Sequence, residues 1–206
     1  MPADASTTAA RRGRPRRIAQ DSELEPREEI LRAAARLFST RGVAGTRITD
    51  IARAVGITPP TIYYHFENLP AIVEALLTYV VDESAAFATA AARRSGPTTD
   101  RLASLVRQHV ERLTTGPYDL WFVVGLAEDE SHRYTSVARQ ASDWRRAVAR
   151  LVAEGIEEGE LRPVDVTLAV AAISGLVYAA LQLRHQHGRV EPAEIARLAV
   201  ASLERH

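Results

Sequence analysis

The stretch ITPPTIYYHFENLP, residues 57–70, decides the fold. Its two adjacent prolines open a short apolar segment, and proline is favoured at the first position of a helix, where its missing N–H costs nothing. Thr58 is a suitable N-cap for a helix that begins at Pro59. Ile62 and Phe66 are four residues apart, so both face the same side. The segment is therefore predicted to form a short helix held by an apolar inner face.

The opposite face of this helix carries rings and hydroxyl groups and almost no charge. At 100° per residue, Pro60 and Tyr64 lie roughly opposite the inner residues, flanked by Thr61 and Tyr63. Such a face can touch thymine methyl groups and donate hydrogen bonds to phosphates. We therefore expect it to contact DNA.

Two further helices are predicted ahead of this one. From Arg27, apolar residues recur at helical spacing, and Gly42 ends that helix. A second helix follows, with Thr46 as its predicted cap and Gly56 as its end. Three short helices with a glycine turn between the second and third predict a helix-turn-helix, whose last helix enters the major groove.

The segments REEILRAAARLF (27–38) and TRITDIARAVGITPPTIYYHF (46–66) resemble the DNA-binding domain of TetR/AcrR-type transcriptional regulators. The resemblance implies a homodimer that binds a palindromic operator on double-stranded DNA. It also implies release, most often of a repressor, when a small-molecule effector enters a separate helical domain and repositions the fourth helix. The matching positions imply DNA contacts from Thr49, Thr58, Pro60, Thr61, Tyr63, Tyr64 and His65.

Each of these contacts has a structural alternative. Thr49 could merely support a cap, and Tyr63 and Tyr64 could pack under the following helix. His65, at a frequent phosphate contact of the family, could instead bridge two helices.

The chain departs from the family pattern just after the aromatic pair. The family usually has a small polar cap and then a lysine that grips phosphate, whereas this chain has Glu67, Asn68, Leu69 and Pro70. Leu69 cannot make that contact, and Pro70 disfavours helical geometry at Leu69, so the fourth helix is expected to begin one residue late. The globular domain should then lack one phosphate contact per subunit.

Charge is unevenly distributed along the chain. Residues 1–66 hold 11 Arg against 7 acidic residues, whereas residues 67–206 hold 15 Arg against 19 acidic residues. Residues 1–26 are predicted to be a disordered basic arm. Its RRGRPRR segment (11–17) resembles an AT-hook. The extended arm could place Arg12, Arg14 and Arg16 in a minor groove, or it could act only as an electrostatic tether.

The predicted domains are this arm, a helix-turn-helix domain over 27–68, and a larger helical effector-binding and dimerisation domain over 69–206. The expected fold is all-α with about nine helices. Beyond the third helix, the sequence predicts helices at about 72–87, 102–113, 118–131, 137–159, 165–188 and 192–203. The segment YDLWFVVGLAEDES (118–131) is apolar all round before its acidic end, so this sixth helix is expected in the interior.

The segment VTLAVAAISGLVYAALQL (166–183) has 18 residues without charge, the lower edge of a membrane span. Alanine and several polar residues dilute it, so a buried helix is predicted and no membrane partner. The family resemblance implies that the last two helices pair across a twofold axis in a four-helix bundle. A core role within one subunit would demand much the same residues.

A ligand pocket is expected among helices four to eight, because pockets combine apolar walls with a few polar groups. The polar or aromatic residues on otherwise apolar faces there are Tyr79, His109, Tyr118, Trp121, Phe122, Tyr134, Trp144 and Tyr178. Each could instead belong to the core. His109 interrupts a clean apolar stripe, and a hydrogen-bonded core histidine is its alternative role.

Other function classes find little support. Zero cysteines exclude disulfides and thiolate chemistry, and no apolar signal segment is visible, which indicates a cytoplasmic, nucleoid-associated protein. His185 and His187 point about 200° apart on a helix, and the acidic residues 128–130 suit a solvated helix end, so no metal is predicted. No catalytic residue and no cofactor is predicted.

Two alternatives to a regulator stay open: an effector-independent DNA-organising protein relying on the arm, and a helical dimer that binds another protein.

Overall fold

The structure, a computed structural model, describes residues 24–81, 84–126 and 134–204. Within these ranges it contains nine α-helices, one short 3-10 helix, and a single isolated bridge between Leu161 and Glu204. The helices are α1 (Pro26–Arg41), α2 (Ile48–Val55), α3 (Pro59–His65), α4 (Leu69–Val81), α5 (Ser84–Arg93), α6 (Thr98–Thr115), α7 (Thr135–Glu157), α8 (Val166–His187) and α9 (Pro192–Ala201). The predicted all-α class is confirmed.

Helices α1, α2 and α3 share one apolar core. Its largest members are no more than 5% exposed, and they are Ile30, Leu31, Phe38, Ile51, Ile62 and Phe66. α1 begins with Pro26 in its first turn and ends before Gly42, which has a φ of +75°. The inner faces expected from helical spacing are therefore confirmed for all three helices.

The turn between α2 and α3 depends on a glycine. Gly56 has a φ of +79°, a left-handed conformation that side chains rarely tolerate. The N–H of Ile57 donates to the carbonyl of Ala52 at 3.0 Å, which closes the end of α2. This short turn sets the direction in which α3 leaves α2.

The predicted role of Thr46 as the cap of α2 is wrong. Arg47 is the N-cap residue, and its N–H donates to the Asp50 carboxylate at 3.1 Å. The Thr46 hydroxyl instead donates to the carbonyl of Gly42 at 2.9 Å, and Thr46 is buried. Asp50 at the third helical position outcompetes the threonine because a carboxylate also interacts favourably with the helix dipole.

The expected late start of α4 is also wrong. α4 begins at Leu69, with Pro70 as its second residue. The Asn68 side chain accepts a hydrogen bond from the N–H of Ala71 at 2.9 Å, as a cap does. Proline is tolerated here because the N–H groups of the first turn have no partner within the helix.

Two predicted helices differ in extent from those observed. The predicted fourth helix at 72–87 corresponds to α4 and α5, which lie on either side of residues 82–83. The predicted sixth helix is instead a 3-10 helix, Trp121–Gly125, and residues 127–133 lie outside the described ranges. Two adjacent β-branched valines and a glycine disfavour an α-helix in this segment. Its expected interior position holds for Leu120 and Phe122, which are buried.

Helices α6 to α9 form the rest of the body, and α6 lies at its centre. The α6 residues Leu102, Leu105 and Val106 are fully buried. Asp165 caps α8, because its side chain accepts from the N–H of Leu168 at 2.8 Å. α8 ends before Gly188, as expected.

Candidate nucleic-acid interface and cavity

The outer face of α3 is open to solvent. Tyr64 is 86% exposed and Tyr63 is 55% exposed, which leaves them free of packing under α4. Pro60 is exposed and Thr61 is half-buried. The Thr61 hydroxyl lies 3.0 Å from that of Thr58, so the two predicted contact residues are linked at the start of the helix. The face is a rigid, uncharged surface of two phenols, a proline ring and two threonines.

Three polar residues border this face. Thr49 is exposed in the first turn of α2, and His65 is half-buried with its ring edge-on to Tyr64, at 5.1 Å between centroids. Arg47 is exposed at the N-cap of α2, two residues before Thr49. Arg47 is not among the contacts predicted from the sequence, although an arginine at a helix start, two residues before a predicted contact, is a usable signal. The predicted minor-groove residues Arg12, Arg14 and Arg16 lie outside the described residues.

Helices α8 and α9 expose an apolar face in the single chain. Leu168 is 63%, Tyr178 47%, Leu183 40% and Leu198 54% exposed. α8 is long and apolar enough to cross a membrane by length and composition, and only 28% of its most apolar window is buried. The expectation of a buried helix is thus met on one side only, where Ile173 and other residues pack into the core.

A cavity of about 110 Å³ lies between α4, α6, α7 and α8. Its walls include the end of α4 and the segment before the 3-10 helix. The lining residues are Val80, Val81, His109, Leu113, Leu120, Val123, Trp144, Arg145, Ser174, Val177, Tyr178 and Leu181. Three of the predicted ligand residues, His109, Trp144 and Tyr178, are brought together here.

One wall of the cavity is a stacked aromatic pair. The rings of His109 and Trp144 lie 4.4 Å apart at 24° to each other. Burial lowers the pKa of His109 to about 4, so the imidazole is neutral near pH 7. The Trp144 side chain is buried, and its Nε1–H has no hydrogen-bond partner among the residues that the structure describes. The wall is therefore uncharged and retains one unused donor.

The other five predicted ligand residues lie outside the lining of this cavity. Tyr79 and Tyr118 form an edge-to-face pair at 4.7 Å, and Arg112 lies over the Tyr79 ring at 3.5 Å. Trp121 stacks on His185 at 5.8 Å between centroids. Phe122 packs on α1, and Tyr134 is buried just before α7.

The segment at residues 118–122 joins α1 to the body. Tyr118 donates to the Glu28 carboxylate at 2.5 Å, and burial together with this bond raises the pKa of Tyr118. The Ser39 hydroxyl donates to the carbonyl of Asp119 at 3.1 Å and accepts from the N–H of Phe122 at 3.1 Å. The same segment thus borders both the cavity and the first helix.

No metal site is formed by the part of the chain that the structure describes. Within it, no group of three or more histidine, aspartate or glutamate side chains converges. His185 instead lies 2.9 Å from the Asp119 carboxylate, and His187 is exposed. The acidic residues 128–130 fall outside the described ranges.

Two family models match the chain. One, described as bacterial regulatory proteins of the tetR family, matches residues 30–76. The other, described as a tetracyclin repressor-like C-terminal domain, matches residues 95–205. Together they cover both the three-helix unit and the helical body.

Individual proteins show the same similarity over most of the chain. The transcriptional repressor KstR2 of Rhodococcus jostii (strain RHA1) is 26% identical over 184 residues, which cover 83% of this chain and 85% of KstR2. The crystal structure of Mycobacterium smegmatis AmtR has a TM-score of 0.76 at 30% identity, over 94% of this chain and 91% of AmtR. AibR in complex with isovaleryl coenzyme A and operator DNA has a TM-score of 0.69 at 22% identity, over 87% of this chain and 98% of AibR.

Proposed function

The chain belongs to the TetR family of bacterial regulatory proteins, and we propose that it is a transcriptional repressor that binds a palindromic operator as a homodimer and releases it when a small molecule binds. The observation that carries the proposal is the pairing of an exposed, rigid α3 face with a separate cavity that adjoins the far end of α4. The protein acts in the cytoplasm, at the nucleoid.

The α3 face reads the major groove. Tyr63 and Tyr64 project into solvent, whereas Ile62 and Phe66 anchor the helix from behind. Phenol hydroxyls donate to phosphates or base edges, and the Pro60 ring and threonine methyl groups contact thymine methyl groups. Thr49, Thr58, Thr61 and His65 add polar contacts around this face, and Arg47 adds a phosphate contact.

The exposed apolar face of α8 and α9 is the dimer interface. Leu168, Leu183 and Leu198 would otherwise be left in water, and an exposed apolar patch of this kind typically marks an interaction site. A second copy of the same face buries it with twofold symmetry. Dimerisation also places two α3 helices at half-sites about one turn of DNA apart.

Release follows from the position of α4. This helix spans 13 residues, or about 20 Å, from Leu69 near α3 to Val81 at the cavity. A ligand that displaces Val80 and Val81 tilts α4 and changes the spacing between the two α3 helices. The structure of AibR in complex with isovaleryl coenzyme A and operator DNA is one example of this fold with both a small molecule and DNA bound.

A second candidate function is effector-independent DNA organisation through the arginine-rich arm. The observation that favours it is Leu69, a half-buried aliphatic residue at the position where the family usually carries a phosphate-gripping lysine. In that case most of the affinity would come from Arg12, Arg14 and Arg16, with little sequence readout.

Selection of bound duplexes from a random DNA pool at about 150 mM salt separates the two functions. The full chain and a chain lacking residues 1–26 are compared. A repressor enriches the same inverted repeat in both forms, and the arm adds affinity only. Enrichment of A/T-rich DNA without symmetry, lost on removing the arm, would overturn the repressor and favour the second candidate.

A double variant, Tyr63→Ala with Tyr64→Ala, tests the α3 face in the same assay. Its matched control is Val124→Ala, which shortens an exposed apolar side chain outside α3, outside the α8 and α9 face and outside the cavity lining. We expect the double variant to lose enrichment of the repeat while the control retains it.

A further inference from the structure

Among the described residues, the cavity lining has a single fixed charge. That charge is the guanidinium of Arg145, which lies on α7 next to the Trp144 wall and is exposed to solvent. The lining residues that the structure describes include no carboxylate, and most of them are aliphatic or aromatic. A cationic ligand would therefore enter an apolar space whose one charge repels it.

The polar groups of the lining differ in whether their hydrogen-bond donors already have an acceptor. The Ser174 hydroxyl already donates to the carbonyl of Val170 at 2.8 Å. Within the described part of the chain, the Trp144 Nε1–H has no acceptor although Trp144 is only 5% exposed. Together with Arg145, it offers hydrogen-bond donors from two consecutive residues of α7. A ligand with acceptor oxygens can accept hydrogen bonds from these donors, whereas a pure hydrocarbon cannot.

Arg145 differs from the arginine that follows it. Arg146 pairs with the Asp143 carboxylate and also donates to the Ser142 hydroxyl at 2.7 Å. In the part of the chain that the structure describes, the ion pairs involve other arginines, and Arg145 takes part in none. An arginine at the mouth of an apolar cavity, without a carboxylate of its own, is suited to an anionic ligand group.

We propose that this cavity binds small apolar monocarboxylates, with the hydrocarbon part against the α8 wall formed by Val177 and Leu181 and the carboxylate at Arg145. The inference rests on the proposed function, since it names the class of effector that the regulator senses. The volume of about 110 Å³ limits the size of the ligand. If a water-sized group takes roughly 10–15 Å³ in this measure, the ligand has about seven to eleven non-hydrogen atoms.

Three probes with the same chain length isolate the charge preference: octanoate, octanamide and octylamine. Calorimetric titration of the full chain without DNA is expected to rank octanoate first, octanamide second and octylamine last. Arg145→Gln should weaken octanoate about fivefold, the upper range for an exposed ion pair, and leave octanamide unchanged. The octanoate preference should also shrink as salt is raised.

Arg146→Gln is the matched control. It removes the neighbouring exposed arginine, which does not line the cavity, and should leave all three affinities as in the parent chain. Equal losses of octanoate affinity in both variants would overturn the assignment to Arg145. So would octylamine binding as tightly as octanoate, or no octanoate binding at millimolar concentration.

Fluorescence gives the location of the bound probe, because the chain has two tryptophans. Trp121→Phe leaves Trp144 as the sole reporter, and octanoate is expected to change its emission. A response that disappears in Trp121→Phe would place the ligand outside this cavity and overturn the proposal.

Operator release is measured separately, as the loss of duplex binding on adding octanoate. Binding of octanoate with the expected charge preference supports the ligand class even if the duplex is retained, and only the release mechanism then fails. An intact operator complex with no carboxylate binding at all overturns the ligand class and leaves the DNA-binding function in place.

Discussion

The Tyr118 hydroxyl donates a 2.5 Å hydrogen bond to the Glu28 carboxylate, and this bond ties the segment beside the cavity to the first helix of the DNA-binding unit. Leu120 of this segment (118–122) and Val123 directly after it line the cavity. Phe122, between them, packs on α1. The chain therefore has two physical routes from cavity to α3, one through α4 and one through this segment and α1.

Replacing Tyr118 by phenylalanine removes the hydroxyl and leaves the ring in place. We expect the free energy of unfolding to fall by about 1.5–2 kcal/mol, the lower part of the range for a hydrogen bond to a charged group. Urea denaturation followed by circular dichroism measures this loss. Tyr63→Phe is the matched control, because Tyr63 is 55% exposed, and it should change stability by only a few tenths of a kcal/mol. Equal losses in the two variants would show that the hydrogen bond between Tyr118 and Glu28 adds no more to the free energy of unfolding than an exposed tyrosine hydroxyl does.

The buried His109 predicts a loss of stability in mild acid. Its pKa is lowered from 6.5 in the unfolded chain to about 4, so the folded state favours the neutral ring. That contribution is present above pH 6.5 and is lost as the pH falls from 6.5 towards 4. Between pH 7.5 and pH 5.0, linkage predicts a cost of about 2 kcal/mol from this residue alone.

His109→Phe tests this directly, since it keeps a ring against Trp144 and removes the titrating group. Urea unfolding at the two pH values should show a decrease in stability about 2 kcal/mol smaller in the variant than in the parent chain. The control His187→Phe changes an exposed histidine and should keep the parent pH dependence. A variant that lost as much stability in acid as the parent would rule out His109 as the source.

The local features of α3 could be predicted from the sequence because they depend on few neighbours. Helical spacing alone places Ile62 and Phe66 inward and leaves Tyr64 outward, as the structure has them. The outcome is harder to predict from the sequence where two local preferences oppose each other, as at the start of α4. Asn68 caps α4 strongly enough to offset the preference of the residue before Pro70 for extended backbone.

The cavity could be predicted only in part because it depends on how four helices meet. His109, Trp144 and Tyr178 were recognisable as unusual residues on apolar faces, yet nothing in the sequence separates them from Tyr79 or Trp121, which lie elsewhere. Arg145 gave no signal at all, since a charge on an amphipathic helix usually belongs to its solvated side. Its relation to the cavity appears only once α7 is packed.

The exposed leucines of α8 and α9 predict that a charge placed among them will separate the dimer. Leu198→Arg, at a side chain that is 54% exposed, should leave the fold of one chain intact and give a monomer in sedimentation velocity. Operator affinity should fall at least about a hundredfold, because one α3 reads a half-site alone. Leu24→Arg changes another exposed leucine outside these helices and should remain dimeric. A Leu198→Arg protein that stayed dimeric would exclude this face as the interface.

The first residue of α4 offers a gain of function. Leu69 is half-buried at the start of the helix, close behind α3, where the family usually has a phosphate-binding lysine. Leu69→Lys should tighten operator binding at low salt, since each subunit gains one phosphate contact. The slope of log affinity against log salt should steepen by about two for the dimer.

Leu69→Gln separates this electrostatic gain from the loss of apolar packing. It should lower stability about as much as the lysine does, with no change in the salt slope. Binding to the selected inverted repeat is measured between about 50 and 300 mM salt for both variants. Equal salt slopes for the parent chain and Leu69→Lys would mean that this end of α4 does not approach the phosphates. The leucine at position 69 would then cost the protein no DNA contact.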